Sequence, residues 1–215
     1  MGTPFWEMLC IRELSSLVSS CKPFNAMNTR IRIFAVLLLA STSAFAANPR
    51  HPERSFWLPD AYFAQVGAAE KATNAYTVGA TWNWNWNRRF RFGLVTGYTE
   101  ATVGRWETEI NGGQDSNWFT QVGITPVLRL FPPLGDNRWF AEVGIGANYI
   151  SPAYQTDGKR FSTEFNFGDH AAFGRILGDH RQASVALRIQ HFSNGGIDAP
   201  NPGENFAQLR YSYQF

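Results

Sequence analysis

From residue 61 onward, apolar and polar side chains alternate with a period of two almost without interruption. That is the pattern of strands with one apolar and one polar face. Eight segments are predicted, over 61–68, 75–85, 89–99 or beyond, 118–131, 139–150, 163–177, 182–194 and 205–215. In the second, Tyr76, Val78, Ala80, Trp82 and Trp84 share a face against Thr77, Gly79, Thr81 and Asn83. The third sets Phe90, Phe92, Leu94 and Tyr98 against Arg89, Arg91, Gly93 and Gly97. The fourth and fifth set Val122, Ile124 and Leu128, then Val143, Ile145 and Tyr149, against Gln121, Gly123, Arg129, Glu142 and Asn148. The sixth is irregular: Asp169 and Arg175 fall among Phe165, Phe167 and Phe173, which predicts a bulge or a shifted boundary. The seventh runs Ala183, Val185, Leu187 and Ile189 outward on one face, and the eighth Leu209, Tyr211, Tyr213 and Phe215.

Strands of this kind build either a soluble sandwich with the apolar face inside or a membrane barrel with that face in lipid. Three features select an eight-stranded antiparallel transmembrane β-barrel of the outer membrane. Aromatic residues gather near the segment ends, as interface girdles do. The opposite face mixes Gly with Arg, Glu, Gln and Asn, as a small packed lumen requires. Short connections at 86–88, 132–137 and 178–180 alternate with mostly longer ones at 71–74, 110–117, 151–162 and 195–204, like periplasmic turns and outer loops.

A further feature, the mark of export, lies upstream. Arg30 and Arg32 precede an apolar stretch from Ile33 to Ala40, and Ala44-Phe45-Ala46 supplies an A-x-A cleavage site, the anatomy of a signal peptide. The predicted organisation is a signal segment over 1–46, a periplasmic lead over 47–60 and a barrel over 61–215. Met27 stands at the ordinary distance before the basic pair, so translation is expected to start there, with 1–26 an upstream extension. Both cysteines, Cys10 and Cys21, precede the cleavage site, so the exported chain has no disulfide or thiolate chemistry.

Composition narrows the function. Aromatic residues are 15% and charged residues 17%, against roughly 25% charged in ordinary domains. The formal charge is +2, and the removed segment takes that excess with it, which leaves no electrostatic footprint for nucleic acid. No phosphate loop, dinucleotide fingerprint or metal-spaced His/Cys cluster occurs, and no metal or cofactor is implied.

The residues that break the strand rule are His191 and Ser193. They share the apolar face of the seventh segment, about 7 Å apart along the strand, near the outer rim. Ionisable groups on a lipid-facing surface are costly and point to function, and a hydroxyl beside an imidazole is the minimum for a nucleophile with its base. In the loop that follows, the side-chain amides of Asn194 and Asn201 and the backbone N–H of Gly196 could serve an oxyanion. Asp198, Glu204 and Asp169 are the carboxylates that could orient the imidazole. Rim His and Ser residues also occur as plain interface groups. Arg91, Arg129, Glu142, Arg188 and Arg210 read as a lumen network, and His51, His170 and His180 as structural.

His191-Phe192-Ser193-Asn194-Gly195-Gly196, then Pro200-Asn201-Pro202-Gly203 and a last strand ending at Phe215, resemble the lipid A 3-O-deacylases, the PagL family. The resemblance implies an outer-membrane esterase that removes the ester-linked 3-O acyl chain of lipid A. It implies Ser193 as nucleophile, His191 as base and an oxyanion pocket from Asn194, Gly196 and Asn201. The family's glutamate, counted without gaps from His191, falls on Asn205. Outward parity favours 205 as well, but Glu204 is taken as the orienting acid because the Gly/Pro-rich loop before it can rearrange. Lipopolysaccharide and outer-membrane lipids are the expected partners, with room for a homodimer. The alternatives are a non-catalytic barrel in adhesion or envelope integrity, and another outer-leaflet acyltransferase or phospholipase.

Overall fold

The computed structural model describes residues 57–70 and 72–215. The predicted signal segment, the start at Met27, both cysteines, His51 and most of the 47–60 lead lie outside the described residues. Eight antiparallel strands close on themselves in sequence order: β1 (Ala61–Ala69), β2 (Thr73–Phe90), β3 (Gly93–Ile110), β4 (Asp115–Phe131), β5 (Trp139–Ser151), β6 (Phe165–Leu177), β7 (Ala183–Ser193) and β8 (Glu204–Gln214). β1 pairs with β8 from Ala61↔Gln214 to Ala69↔Phe206. Closure leaves no sheet edge to pair with another chain.

The alternation in the sequence becomes an alternation of environment. Leu187 and Ile189 on β7 are each 69% exposed on the outside, while Arg188 between them is 2% exposed inside. An apolar outer wall around a polar interior is the arrangement of a membrane-spanning barrel. The interior is filled by paired charges. Glu100 receives two hydrogen bonds from Arg188 at 2.9 and 3.1 Å and one from Arg210 at 2.6 Å. Glu142 receives Arg129 Nε at 2.5 Å and the Tyr98 hydroxyl at 2.9 Å. Burying a charge is tolerable only with such partners. Of the predicted lumen set, Arg129, Glu142, Arg188 and Arg210 are in this network. Arg91 is not: it lies exposed in the β2–β3 turn.

That difference follows from a strand boundary. The chain turns at Arg91 and Phe92, not at 86–88, so β2 and β3 are each 18 residues long. Their register shifts between Asn83 and Asn87. The shift is by two residues, from Asn83↔Tyr98 to Asn87↔Thr96, so it leaves the faces of β2 in place. The change of face belongs to β3, whose predicted segment ran across the turn at Arg91 and Phe92. Tyr98, predicted on the apolar outer face, is buried inside against Glu142, and Gly97, predicted inside, lies outside beneath the Trp84 ring. The sixth strand corrects the other way. β6 keeps register with both neighbours throughout and has no bulge. Its outward Arg175 stacks over Trp139 at 5.2 Å and bonds Asp136 at 3.2 Å. β3 and β4 also extend farther outward than predicted, leaving only a 3-10 turn over Asn111–Gly113 at their connection.

The outer mouth is not an open polar channel. Residues 152–164, between β5 and β6, bring Tyr154 and Phe161 into an aromatic cluster with Trp106, Phe119, Phe192 and Phe206. Trp106 meets Phe192 and Phe206 with ring centroids 4.8 and 4.7 Å apart. Phe192 lies between His191 and Ser193, and Phe206 follows Asn205. The two strands that carry the candidate chemistry are therefore anchored by their inward aromatic neighbours.

Candidate active site

The site is built by the last residues of β7, the first of β8 and the loop between them. On β7 the outward parity of Val185, Leu187 and Ile189 continues into His191 and Ser193, both half-buried. The cross-strand partner of His191 on β8 is Asn205, and on β6 it is Asp169. All three point outward near the outer rim. His191 Nδ1 and Asn205 Oδ1 are 2.8 Å apart. An amide oxygen can only accept, so this contact places the proton on Nδ1 and leaves Nε2 as the basic nitrogen.

Glu204, the expected orienting acid, is turned the other way. Its side chain is buried inside the barrel, where Oε2 accepts from the Tyr154 hydroxyl at 2.9 Å and Oε1 from Lys159 Nζ at 3.0 Å. Strand parity decides between the two positions: once β8 begins at Glu204, 204 faces in and 205 faces out. The rearrangement that would bring Glu204 outward is opposed by partners from residues 152–164, which no local pattern reveals. Asp198 also stays away from the imidazole; its carboxylate accepts the N–H of Ala199 at 2.8 Å. Asp169 remains the carboxylate on the face of His191, directly across the β6–β7 ladder.

The loop is organised by Asn194, which is 1% exposed. Its Nδ2 donates to Ser162 Oγ at 2.9 Å and to the Asp198 carbonyl at 2.8 Å, and its Oδ1 accepts the N–H of Gly196 at 2.9 Å. Its side chain is therefore engaged within the loop. Asn201 Oδ1 accepts the Asn194 N–H at 3.0 Å, an orientation that leaves the Asn201 amide NH₂ as a donor. The loop returns through Gly203, whose φ is +64°. A Cβ there would lie 2.6 Å from His191 Cε1 and 3.1 Å from Nε2, so this glycine lets the backbone pass the imidazole. Gly203 was part of the motif but its function was not foreseen. Tyr154 was missed altogether, because its contact with the site comes from a distant loop.

Below this row, toward the membrane midplane, the outer wall is indented. Ala171, Ile189, Ala207 and Ala68 are successive cross-strand neighbours one same-face step beneath Asp169, His191 and Asn205. The three alanines open a shallow apolar groove of about 890 Å³ beside Ile189, bordered by Phe173, Leu187, Leu209 and Tyr76. His170 faces the interior and is buried; His180 lies exposed between β6 and β7.

Known proteins bear on this arrangement. Residues 74–214 match the family model described as lipid A 3-O-deacylase (PagL). Lipid A deacylase PagL of Bordetella bronchiseptica is 37% identical over 105 residues, covering 49% of this chain and 56% of that protein. Lipid A deacylase PagL of Pseudomonas aeruginosa is 30% identical over 150 residues, covering 69% of this chain and 82% of the relative. The crystal structure of the outer membrane enzyme PagL superposes with a TM-score of 0.61 at 26% identity, over 72% of this chain and 99% of that one. By the family model, the relatives and the eight-stranded barrel together, the chain belongs to the lipid A 3-O-deacylase (PagL) family of outer-membrane ester hydrolases.

Proposed function

We propose that this protein hydrolyses the ester that holds the 3-O acyl chain of lipid A, with Ser193 as nucleophile, His191 as general base and Asn205 as the group that aligns the imidazole. The observation that carries the proposal is the 2.8 Å contact between His191 Nδ1 and Asn205 Oδ1, formed on the outer wall of the barrel beside Ser193. The substrate is a lipid, so a site on the lipid-facing wall meets it by lateral diffusion. The apolar groove beneath His191 gives the acyl chain a bed in line with the ester.

In this mechanism the Ser193 hydroxyl attacks the acyl carbonyl as its proton passes to His191 Nε2. The Asn201 amide and the Gly196 N–H, once released from Asn194, stabilise the tetrahedral oxyanion. Collapse breaks the ester bond, and His191 gives the proton to the departing sugar oxygen, which leaves as the hydroxyl. Water, deprotonated by His191, then attacks the acyl-enzyme and releases the fatty acid. Asn205 fixes the tautomer as a carboxylate does, without adding the charge that would steady the imidazolium.

Mass spectrometry of lipid A from cells expressing the protein tests the reaction. Loss of one 3-hydroxyacyl mass supports it. A gain in mass indicates acyl transfer, and unchanged lipid A indicates a non-catalytic barrel.

A further inference from the structure

Glu204 is a buried carboxylate that the hydrolytic steps do not use. It stands immediately after Gly203 and immediately before Asn205, and both of its oxygens are occupied. Oε1 accepts Lys159 Nζ at 3.0 Å and the N–H of Asn205 at 3.2 Å. Oε2 accepts the Tyr154 hydroxyl at 2.9 Å. That hydroxyl also lies 2.7 Å from Thr73 Oγ1, which is 2.8 Å from Thr108 Oγ1. One chain of hydrogen bonds thus runs from β2 and β3 through the 152–164 segment to the first residue of β8. Lys159 additionally reaches Glu70 at 3.4 Å.

The same segment holds the other end of the site loop, where Ser162 Oγ accepts Asn194 Nδ2 at 2.9 Å. The loop that follows Ser193 and ends at Asn205 is therefore pinned at both ends from inside the barrel. The aromatic cluster packs beneath these bonds, with Tyr154 and Trp106 centroids 5.5 Å apart. Hydrogen bonds to a charged group fix a side chain more firmly than neutral ones do. In a strand the orientation of one residue sets that of the next.

We propose that Lys159 is a positioning residue for ester hydrolysis: by holding Glu204 inside the barrel it sets Asn205 outward against His191. This rests on the deacylase reading and deepens it. Lys159 touches neither the ester nor His191; it acts through two successive residues of β8. Reversing the direction of Glu204 would carry Asn205 off the imidazole.

The test uses the full, folded barrel in mixed micelles with lipid A. Lys159→Met keeps the apolar stem and removes the ammonium. The expected result is a fall in kcat of at least about tenfold with KM within twofold, and recovery of most of the loss in Lys159→Arg. In an Asn205→Ala background, Lys159→Met should produce little further loss, because both act through one contact. ¹⁵N spectra of the His191 ring supply a readout that needs no turnover: Lys159→Met should convert a single Nδ1–H tautomer into a mixture. Should Lys159→Met fail to fold, Glu204→Gln is measured in the same way, with the same tautomer mixture expected. An unchanged tautomer and kcat, or a loss confined to KM, overturns the proposal. A tautomer shift in an enzyme that never deacylates lipid A would leave the clasp standing and remove the deacylase reading.

Discussion

At the scale of single residues, the site turns on a difference of one position. Asn205 faces His191 and Glu204 faces the lumen, and a glycine with positive φ precedes the pair. Parity in the last strand pointed to 205, and the motif supplied His191 and Ser193. The choice of Glu204 rested on the loop's freedom to rearrange, and the partners that remove this freedom, Tyr154 and Lys159, are remote in sequence. An amide at 205 has a measurable consequence. A hydrogen bond to a charged group is worth about 1.5–3 kcal/mol against 0.5–1.5 for a neutral one. Asn205→Glu should therefore raise kcat about tenfold, and Asn205→Ala should lower it by a similar factor, as read by release of 3-hydroxy fatty acid from lipid A. Equal rates in all three forms would mean that position 205 does not serve the imidazole.

At the scale of elements, strands were legible and their phase was not always so. β4, β5, β7 and β8 follow the predicted faces because uninterrupted alternation is a local property of the sequence. β2 ran past its predicted end because Trp86 and Asn87, the last of the repeated Trp-Asn pairs, were read as part of a turn, and a two-residue register shift leaves no mark in alternation. β3 departed in phase because the parity of Phe90 and Phe92 was carried across the turn that separates the two strands. The inward aromatic plug was likewise hidden, since Phe192 and Phe206 sit on the face expected to be polar and Trp106 lies beyond the part of the third segment to which faces were assigned. The row of alanines flanking Ile189 beneath the site became visible only through the pairing of β6, β7, β8 and β1. Ala207→Phe should fill that groove and slow the removal of a long 3-O acyl chain about tenfold or more, with the folded barrel unchanged in heat-modified gel mobility. Activity equal to the parent on long-chain lipid A would show that the chain lies elsewhere.

The 152–164 segment also makes a pH prediction. Burial alone would lower the Lys159 ammonium, but Glu204 and Glu70 outweigh it and hold its pKa above the ordinary value. A raised lysine pKa contributes stability that is complete below the unfolded value and is lost as pH rises through the folded one. Protease resistance of the 152–164 segment should thus be constant from neutral pH through the mildly alkaline range. It should fall only above about pH 10.4, the ordinary lysine value. Loss near pH 8 would contradict the clasp.

At the scale of the whole molecule, a barrel with an apolar wall must satisfy every polar group from within. Glu100 is the hub of that interior: Arg188 and Arg210, on β7 and β8, both spend their charge on it. Removing one partner of a buried charge network costs about 3–5 kcal/mol, because the remaining charges stay buried. Glu100→Ala should lower the unfolding midpoint of the barrel in denaturant by a corresponding amount, and Glu100→Asp by less. An unaltered midpoint would mean that the interior admits enough water to screen the arginines.

The barrel thus acts as a rigid post that presents two polar side chains to a lipid layer while its own charges pair inside. The measurement that tests this most directly compares lipid A mass spectra from cells making the parent chain, Ser193→Ala and His191→Ala, each verified as folded in the outer membrane. The account predicts that the parent removes the 3-O acyl chain and that both variants leave lipid A intact. Deacylation that persists at the parent level in either variant would contradict it.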